Sequence, residues 1–274
     1  MKICNGADSI GECLTDNDCR ETAYCDQTTY MCVDKKAAGD ACTHGNQCLS
    51  ESCWDNICCV IGNRIIFGNY EQDYDTTNGK EPIEWRVLDK NNKGQLFIIS
   101  EKVLDVQSCN TTQVNITWEF SMIRSWLNGY APSYNNVGTD FTSDNFIDAA
   151  FTAEEKAKIV TSNVIYNKSN ATTDKVFLLS ENEVRNYFAN DSDRLADATR
   201  YVVRKNAIVR GSESGVSYNG TCTDIHCYPY WWLRSKASNT TTAHGVMYDG
   251  TIRESIAINA KPIGVRPVLW VNSF

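Results

Sequence analysis

"GECLTDNDCRETAYCDQTTYMCV" (residues 11–33) is followed, after the polar link "DKKAAGD", by "GDACTHGNQCLSESCWDNICCV" (residues 39–60). The first stretch spaces its cysteines by 5, 5 and 6 residues, the second by 5, 4 and 4. Both open on Gly plus an acid and close on Cys-Val, so the front of the chain is an internal repeat. Ten of the thirteen cysteines fall here, at Cys4, Cys13, Cys19, Cys25, Cys32, Cys42, Cys48, Cys53, Cys58 and Cys59. A segment of about 60 residues buries too little apolar surface to offset its chain entropy and needs staples. Thiols at this density persist as disulfides in an oxidising compartment. The spacings do not match the Cys-x2-Cys knuckles of structural zinc, and His44 is the only histidine nearby, so disulfides are expected rather than metal. The pairing itself is not deducible, since ten cysteines allow about 945 arrangements.

Outward from this module the composition is that of a folded protein: 274 residues, 42% hydrophobic and 22% charged. Net charge is −8, which offers no electrostatic footprint for nucleic acid or an anionic membrane. The acidity is uneven, with ten Asp/Glu against four Lys/Arg in residues 1–60. No Asp-x-Asp-x-Asp-Gly calcium loop is present, so that excess is expected to be solvated surface. No apolar run approaches the roughly 18 residues of a membrane span, and no leader precedes Cys4. The disulfide argument demands export, so Met1 is expected to open a mature or engineered chain whose leader is missing. Sequons at Asn110, Asn115, Asn167, Asn170, Asn190, Asn219 and Asn239 permit glycosylation without demonstrating it.

The domain boundary is expected at 60, giving a cysteine-rich module (1–60) and an α+β domain (61–274). "NRIIFGNYEQ" and "IEWRVLDKNNKGQLFIIS" read as strands with a turn at residues 91–94. In "TWEFSMIRSWLNGY", Phe120, Ile123, Trp126 and Leu127 recur at helical spacing. "NFIDAAFTAEEKAKIV" continues helical, with Thr152 as N-cap and Glu155 three residues on. "DKVFLLS" reads as a buried strand, and "ENEVRNYF" as a helix capped by Ser180 with Glu183. "YPYWWLRS", "AHGVMYDG", "TIRESIAIN" and "IGVRPVLWVN" read as strands, and the first and last strands of the domain could share a sheet.

These blocks, with "WWLRS" and "GVRPVLWV", resemble a bacterial exported domain of unknown function common in gut Firmicutes, over residues 63–274. That family is in turn similar to the C-type-lectin-like fold of formylglycine-generating enzymes and of the variable proteins of diversity-generating retroelements. The front repeats resemble the cysteine-rich repeats named after the Dickkopf N-terminal region, which serve as spacers or protein-contact surfaces. The resemblance therefore implies a C-type-lectin-like domain behind a small disulfide-rich module. The relatives close on Gly-Phe-Arg, where this chain has Gly264-Val265-Arg266, with Arg234 on the preceding strand. From the residues themselves, Arg86, Arg124, Arg234 and Arg266 among the tryptophans are expected to be stacked core struts more than ligand clamps.

Cys222 and Cys227 match the spacing of the reactive pair that binds Cu(I) in formylglycine-generating enzymes, and the competing reading is a disulfide closing a small surface ring. The disulfide is preferred, worth about 2 kcal/mol by loop entropy. No catalytic residue, metal ligand or cofactor is assigned. His44, His226 and His244 are the only histidines, and no nucleophile elbow or nucleotide-binding loop accompanies them. The binding reading rests on period-two alternation, which sets Tyr228, Tyr230 and Trp232 on one face and Trp231 and Leu233 on the other. Tyr230, Trp232, Arg234, Tyr248, Asp249 and Arg253 are the ligand-binding candidates, against the plainer reading that both aromatic rows are buried. Cys109 is left over. It could be free and buried, bridged to Cys59, or linking two chains.

The expected function is a secreted or cell-surface protein that binds an extracellular protein or glycan, with no nucleic-acid partner and no membrane insertion. The alternatives are a structural subunit of an extracellular appendage or surface layer, self-assembling through the cysteine-rich module, and a copper-dependent cysteine oxidase. A further variant of the binding reading is a hypervariable receptor like those of retroelement systems.

Overall fold

The computed structural model describes residues 13–37, 39–50, 53–54, 57–58, 62, 64–167, 170–205, 207, 209–211, 215–217, 222, 226–236, 241–260 and 263–272. The chain divides into two compact units. The first comprises Met1–Ile65, Val87–Phe97 and Val271–Phe274, and the second Ile66–Arg86 and Ile98–Trp270.

In the first unit, β1 (Ala23–Asp26) pairs with β2 (Met31–Asp34), and β3 (Cys53–Trp54) with β4 (Ile57–Cys58). The first repeat carries Cys13–Cys25 and Cys19–Cys32, the second Cys42–Cys53 and Cys48–Cys58. Counted along each repeat, the first cysteine joins the third and the second joins the fourth. One frame is therefore used twice. The likeness extends past sulfur: a 3-10 turn precedes the second cysteine in each, at Asp16–Asp18 and Gly45–Gln47. The last residue of each turn closes it, Asp18 accepting from the Leu14 N–H at 2.9 Å and Gln47 from the Thr43 N–H at 2.8 Å. Cys13, Cys25 and Cys32 pack with Ala23, while Cys42, Cys48, Cys53 and Cys58 pack together, so bonded sulfur replaces aliphatic core. Each bridge spans 10 to 13 residues of sequence, worth about 3 kcal/mol in the chain-entropy account. Cys4 and Cys59 lie outside the described residues.

The rest of the chain is α+β. Its strands are β5 (Arg64–Tyr70), β6 (Glu81–Lys90), β7 (Leu96–Ser100), β8 (Asp105–Gln107), β9 (Ile159–Val160), β10 (Ser162–Asn167), β11 (Asn170–Asp174), β12 (Val209–Gly211), β13 (Gly215–Ser217), β14 (Cys227–Pro229), β15 (Trp231–Lys236), β16 (Thr242–Val246), β17 (Ile252–Ala257), β18 (Ile263–Val265) and β19 (Val268–Val271). The helices are α1 (Met122–Asn128), α2 (Phe146–Ala150), α3 (Ala153–Lys158), α4 (Glu181–Tyr187) and α5 (Arg200–Arg204). One sheet runs β5-β6-β7-β19-β9, so the first and last strands do share it. A second runs β17-β16-β15-β18-β8, and a small third runs β13-β12-β14.

Local chemistry explains much of this. Thr152–Glu155 and Ser180–Glu183 form capping boxes at the starts of α3 and α4. Gly94 takes φ 77° where the β6–β7 turn requires it. Three expectations need correction. Phe120 lies in a 3-10 turn before α1 and is 48% exposed, so of the four expected positions Ile123, Trp126 and Leu127 are buried, joined by Met122. The long helix through residue 158 breaks at Phe151, whose extended backbone ends α2. "DKVFLLS" is buried but is not a strand; after Asp174 it makes a single bridge, Phe177 to Val268.

Five helices of five to seven residues cannot stand on propensity alone. Buried polar hubs hold them. Asp174, fully buried, accepts from Arg124 Nε at 2.7 Å, Trp118 Nε1 at 3.0 Å, Tyr130 Oη at 3.1 Å and Thr172 Oγ1 at 2.5 Å. Asp105, 2% exposed, accepts from Tyr70 Oη and from Lys205 Nζ at 2.7 Å. Burial, with the Asp105 charge beside it, raises the Tyr70 hydroxyl far above its ordinary value. Arg86 pairs with Glu101 through two nitrogens, and Arg266 stacks on Trp231 and Phe188 while donating to the Ser100 carbonyl at 2.8 Å. Burial and the nearby Arg86 charge lower Arg266 to about 9. Arg124, Arg234 and Arg266 are buried struts, while Arg86 is half-buried and held by Glu101.

Asp174→Ala should cost about 3–5 kcal/mol, because it leaves Arg124 buried without its counter-charge. Urea unfolding measures this, and a loss below about 1 kcal/mol would refute the hub. A non-reducing peptide map should return the four module bridges in the first-to-third, second-to-fourth pattern.

Candidate functional site

The candidate face is built where β14, β12 and the β16–β17 turn of the second unit meet. Tyr230 sits between β14 and β15, and Tyr248 lies in the turn after β16. Their rings stack at 5.3 Å between centroids with 28° between planes. The Arg210 guanidinium lies over the Tyr248 ring at 5.7 Å from its centroid. Arg210 reaches this place because β12 pairs with β14, which sets it opposite Tyr228. Tyr228 stacks on His226 at 5.8 Å with 5° between planes. His226 Nδ1 lies 2.9 Å from Asp197 Oδ2, and Asp197 Oδ1 accepts from the Cys227 N–H at 3.1 Å. Tyr228, Tyr230 and Tyr248 are half-buried, and His226, Arg210, Asp249 and Arg253 are exposed.

The Tyr248 turn requires glycine at position 250 for a steric reason. Gly250 has φ 82°, and a Cβ there would stand 1.8 Å from the Asp191 carbonyl oxygen. The Gly250 carbonyl accepts from buried Arg194, which also pairs with Asp191. Burial raises the Asp249 carboxyl, but hydrogen bonds from Thr251 and the Arg210 charge outweigh it and hold the group below its ordinary value. Asp249 is therefore ionised at neutral pH. Aromatic faces, a cation and a carboxylate on a braced turn make the chemistry of a contact surface.

Two of the six candidates from sequence are not on this face. Trp232 is 1% exposed, its Nε1 donating to the Gln107 carbonyl at 2.8 Å. Arg234 is 7% exposed and grips Glu183 through both terminal nitrogens, with further bonds to the Leu178 and Ile165 carbonyls. The physical reason is that β15 is the central strand of its sheet, covered on both sides, so alternation there separates two interiors. Tyr230, Tyr248, Asp249 and Arg253 remain accessible, with Arg210, Tyr228 and His226 added. Arg210 stands in "RGSESG", and no local signal joins it to Tyr248, because the connection is a cross-strand register.

Cys222 and Cys227 are bonded, S–S 2.02 Å. Cys109 is the free cysteine of the described residues. It lines a cavity of about 20 Å³ with Ile116, Trp118, Ile123 and Trp232, room for about one water. Burial pushes its thiol up to about 12. Glu71, Asp73 and Glu81 bring carboxylate oxygens within 4.8 Å of one another. Those oxygens already accept from the Gln72 and Asp75 N–H groups and from Asn78, closing the β5–β6 loop. Among the sequons, Asn110 is fully buried and its amide donates to Thr112, so a glycan has no room there. Asn115, Asn170 and Asn190 are exposed. Asn219 and Asn239 lie outside the described residues, as does the side chain of Asn167.

Residues 93–273 match the family described as a domain of unknown function, DUF6273. Neither a curated protein nor a solved structure matches the chain.

A thiol raised to about 12 is almost wholly protonated near neutrality and is a poor nucleophile. Native protein at pH 7.5 should take up iodoacetamide at Cys109 at least a hundredfold more slowly than unfolded protein, as read by intact mass. Rapid labelling of the native chain would show the cavity to be open.

Proposed function

The chain belongs to the DUF6273 family, and we propose that it is an extracellular binding protein whose contact face is centred on Tyr230 and Tyr248. The observation that carries this reading is the Arg210–Tyr248–Tyr230 stack at a turn that only glycine at 250 allows, with ionised Asp249 in that turn and exposed Arg253 on the strand after it. A stack whose rings are already paired costs little further side-chain entropy on binding, which is the usual advantage of tyrosine–arginine contact surfaces. The ligand is an extracellular protein or glycan. Five disulfides among the described residues point to an oxidising, extracellular environment, and no helix there is long and apolar enough to cross a membrane. Secretion or surface display follows as part of the proposal.

A C-type-lectin-like architecture is proposed with it. Its support is the sharing of one sheet by β5 and β19 and the buried Arg266 after Gly264-Val265. The competing oxidase reading requires Cys222 and Cys227 as separate thiolates, whereas the two sulfurs are bonded and Cys227 is anchored to Asp197. Mild reduction followed by Cu(I) titration separates the two readings; stoichiometric copper uptake would favour the oxidase.

Tyr230→Ala and Tyr248→Ala should each weaken binding at least tenfold in a screen of extracellular glycans and secreted proteins, with circular dichroism unchanged. Trp232→Ala should instead lower the unfolding midpoint, since it empties a core site. Equal binding by wild type and both tyrosine variants would end the proposal.

A further inference from the structure

Asparagine followed by glycine is the dipeptide most open to attack by its own backbone, because glycine carries no side chain to crowd the next amide nitrogen. The sequence holds four such pairs, of which Asn5–Gly6 and Asn219–Gly220 lie outside the described residues. The other two, Asn78–Gly79 and Asn128–Gly129, stand in opposite circumstances.

Asn128–Gly129 is locked. Gly129 caps α1 in the left-handed conformation, and its N–H donates to the Ser125 carbonyl. The Asn128 amide is bonded at both ends. Its Nδ2 donates to the Arg124 carbonyl at 3.1 Å and the Val176 carbonyl at 2.8 Å. Its Oδ1 accepts from the Lys175 and Val176 N–H groups, each at 3.0 Å. Asn145 packs where a Gly129 Cβ would stand. The nitrogen and the amide carbon cannot approach without breaking these bonds.

Asn78–Gly79 lies in the exposed loop between β5 and β6. The N–H groups of Asp75, Thr77 and Asn78 all donate within that loop. That of Gly79 has no acceptor among the described residues. Nothing stands within 4 Å of a Cβ built on Gly79. The Asn78 side chain makes one bond, Nδ2 donating to Asp73 Oδ2 at 2.7 Å.

We infer that Asn78 is a site of spontaneous deamidation, at which the chain modifies itself with water as the one co-reactant. The Gly79 nitrogen gives its proton to solvent and bonds to Asn78 Cγ. The Cγ–Nδ2 bond breaks, ammonia leaves, and a succinimide closes. Water then opens the ring at either carbonyl, leaving aspartate or isoaspartate, with no electrons exchanged. The fold gives this change a consequence. The new carboxylate loses the bond to Asp73 and adds a like charge beside Glu71, Asp73 and Glu81, whose oxygens lie within 4.8 Å of one another. The same loop is tied to α5, because the Tyr201 N–H donates to the Gln72 carbonyl at 2.9 Å and the Tyr74 and Tyr201 rings lie 5.9 Å apart. Deamidation therefore loosens the loop from α5. The site is separate from the tyrosine–arginine face and does not rest on it.

The test incubates the full oxidised chain at mildly alkaline pH, native and in concentrated urea, and follows both asparagines by peptide mapping. In the native chain Asn78 should convert at least tenfold faster than Asn128, with isoaspartate among the products. In urea that gap should close. Hydroxylamine, which cleaves succinimides, should cut the aged native chain between Asn78 and Gly79 and spare Asn128–Gly129. Asn78→Gln should remove the early product, and Asn78→Asp should lower the thermal midpoint by a few degrees. Equal native rates would overturn the inference. So would the same ratio in urea, which would assign the difference to flanking sequence and not to the fold. An Asn78→Asp midpoint equal to that of wild type would overturn the loosening of the loop.

Discussion

The second unit depends on carboxylates paired with cationic partners in its interior or at its edge. Its helices are one to two turns long, and segments such as residues 175–179 bury apolar side chains without regular structure. Apolar packing alone would leave such pieces free to slide. Asp174 ties the start of α1 to the end of β11, Glu183 ties α4 to β15 through Arg234, and Asp105 ties β8 to α5 through Lys205. Each tie joins residues 50 or more apart in sequence. A directional charged bond specifies one arrangement where hydrophobic contact would accept several. The cost is sensitivity: a partner left alone in the interior is far more destabilising than a missing methyl group.

The first unit solves the same problem with covalent bonds. Among the described residues its repeats have almost no aliphatic interior, and paired sulfurs occupy the space instead. A frame held this way tolerates wide change between bridges, because stability no longer depends on what the loops bury. That tolerance fits the exposure of Leu14 and Tyr30 in the first repeat.

The tyrosine–arginine face combines both strategies. Its β14 strand begins at a disulfide whose backbone is anchored by Asp197, and its turn is locked by Gly250 against Asp191. Anchoring of this kind leaves the exposed residues free to differ in chemistry, as the proposed role requires.

Cysteine spacing by itself determined a stapled repeat, because no other chemistry stabilises so short a segment at that composition. Local patterns also located the capping boxes of Thr152 and Ser180, the Gly94 turn and most strands, since those signals act over a few residues. The strut role of the arginines was legible from their tryptophan neighbours. Tertiary structure alone decided the pairing of the sulfurs, which depends on where the hairpins fold back. It alone decided that Trp232 and Arg234 face an interior, because alternation tells which residues share a side and not whether that side is covered. It also buried Asn110 despite its sequon and brought Arg210 to Tyr248 through a strand register, a long-range contact that leaves no mark on either residue's neighbours.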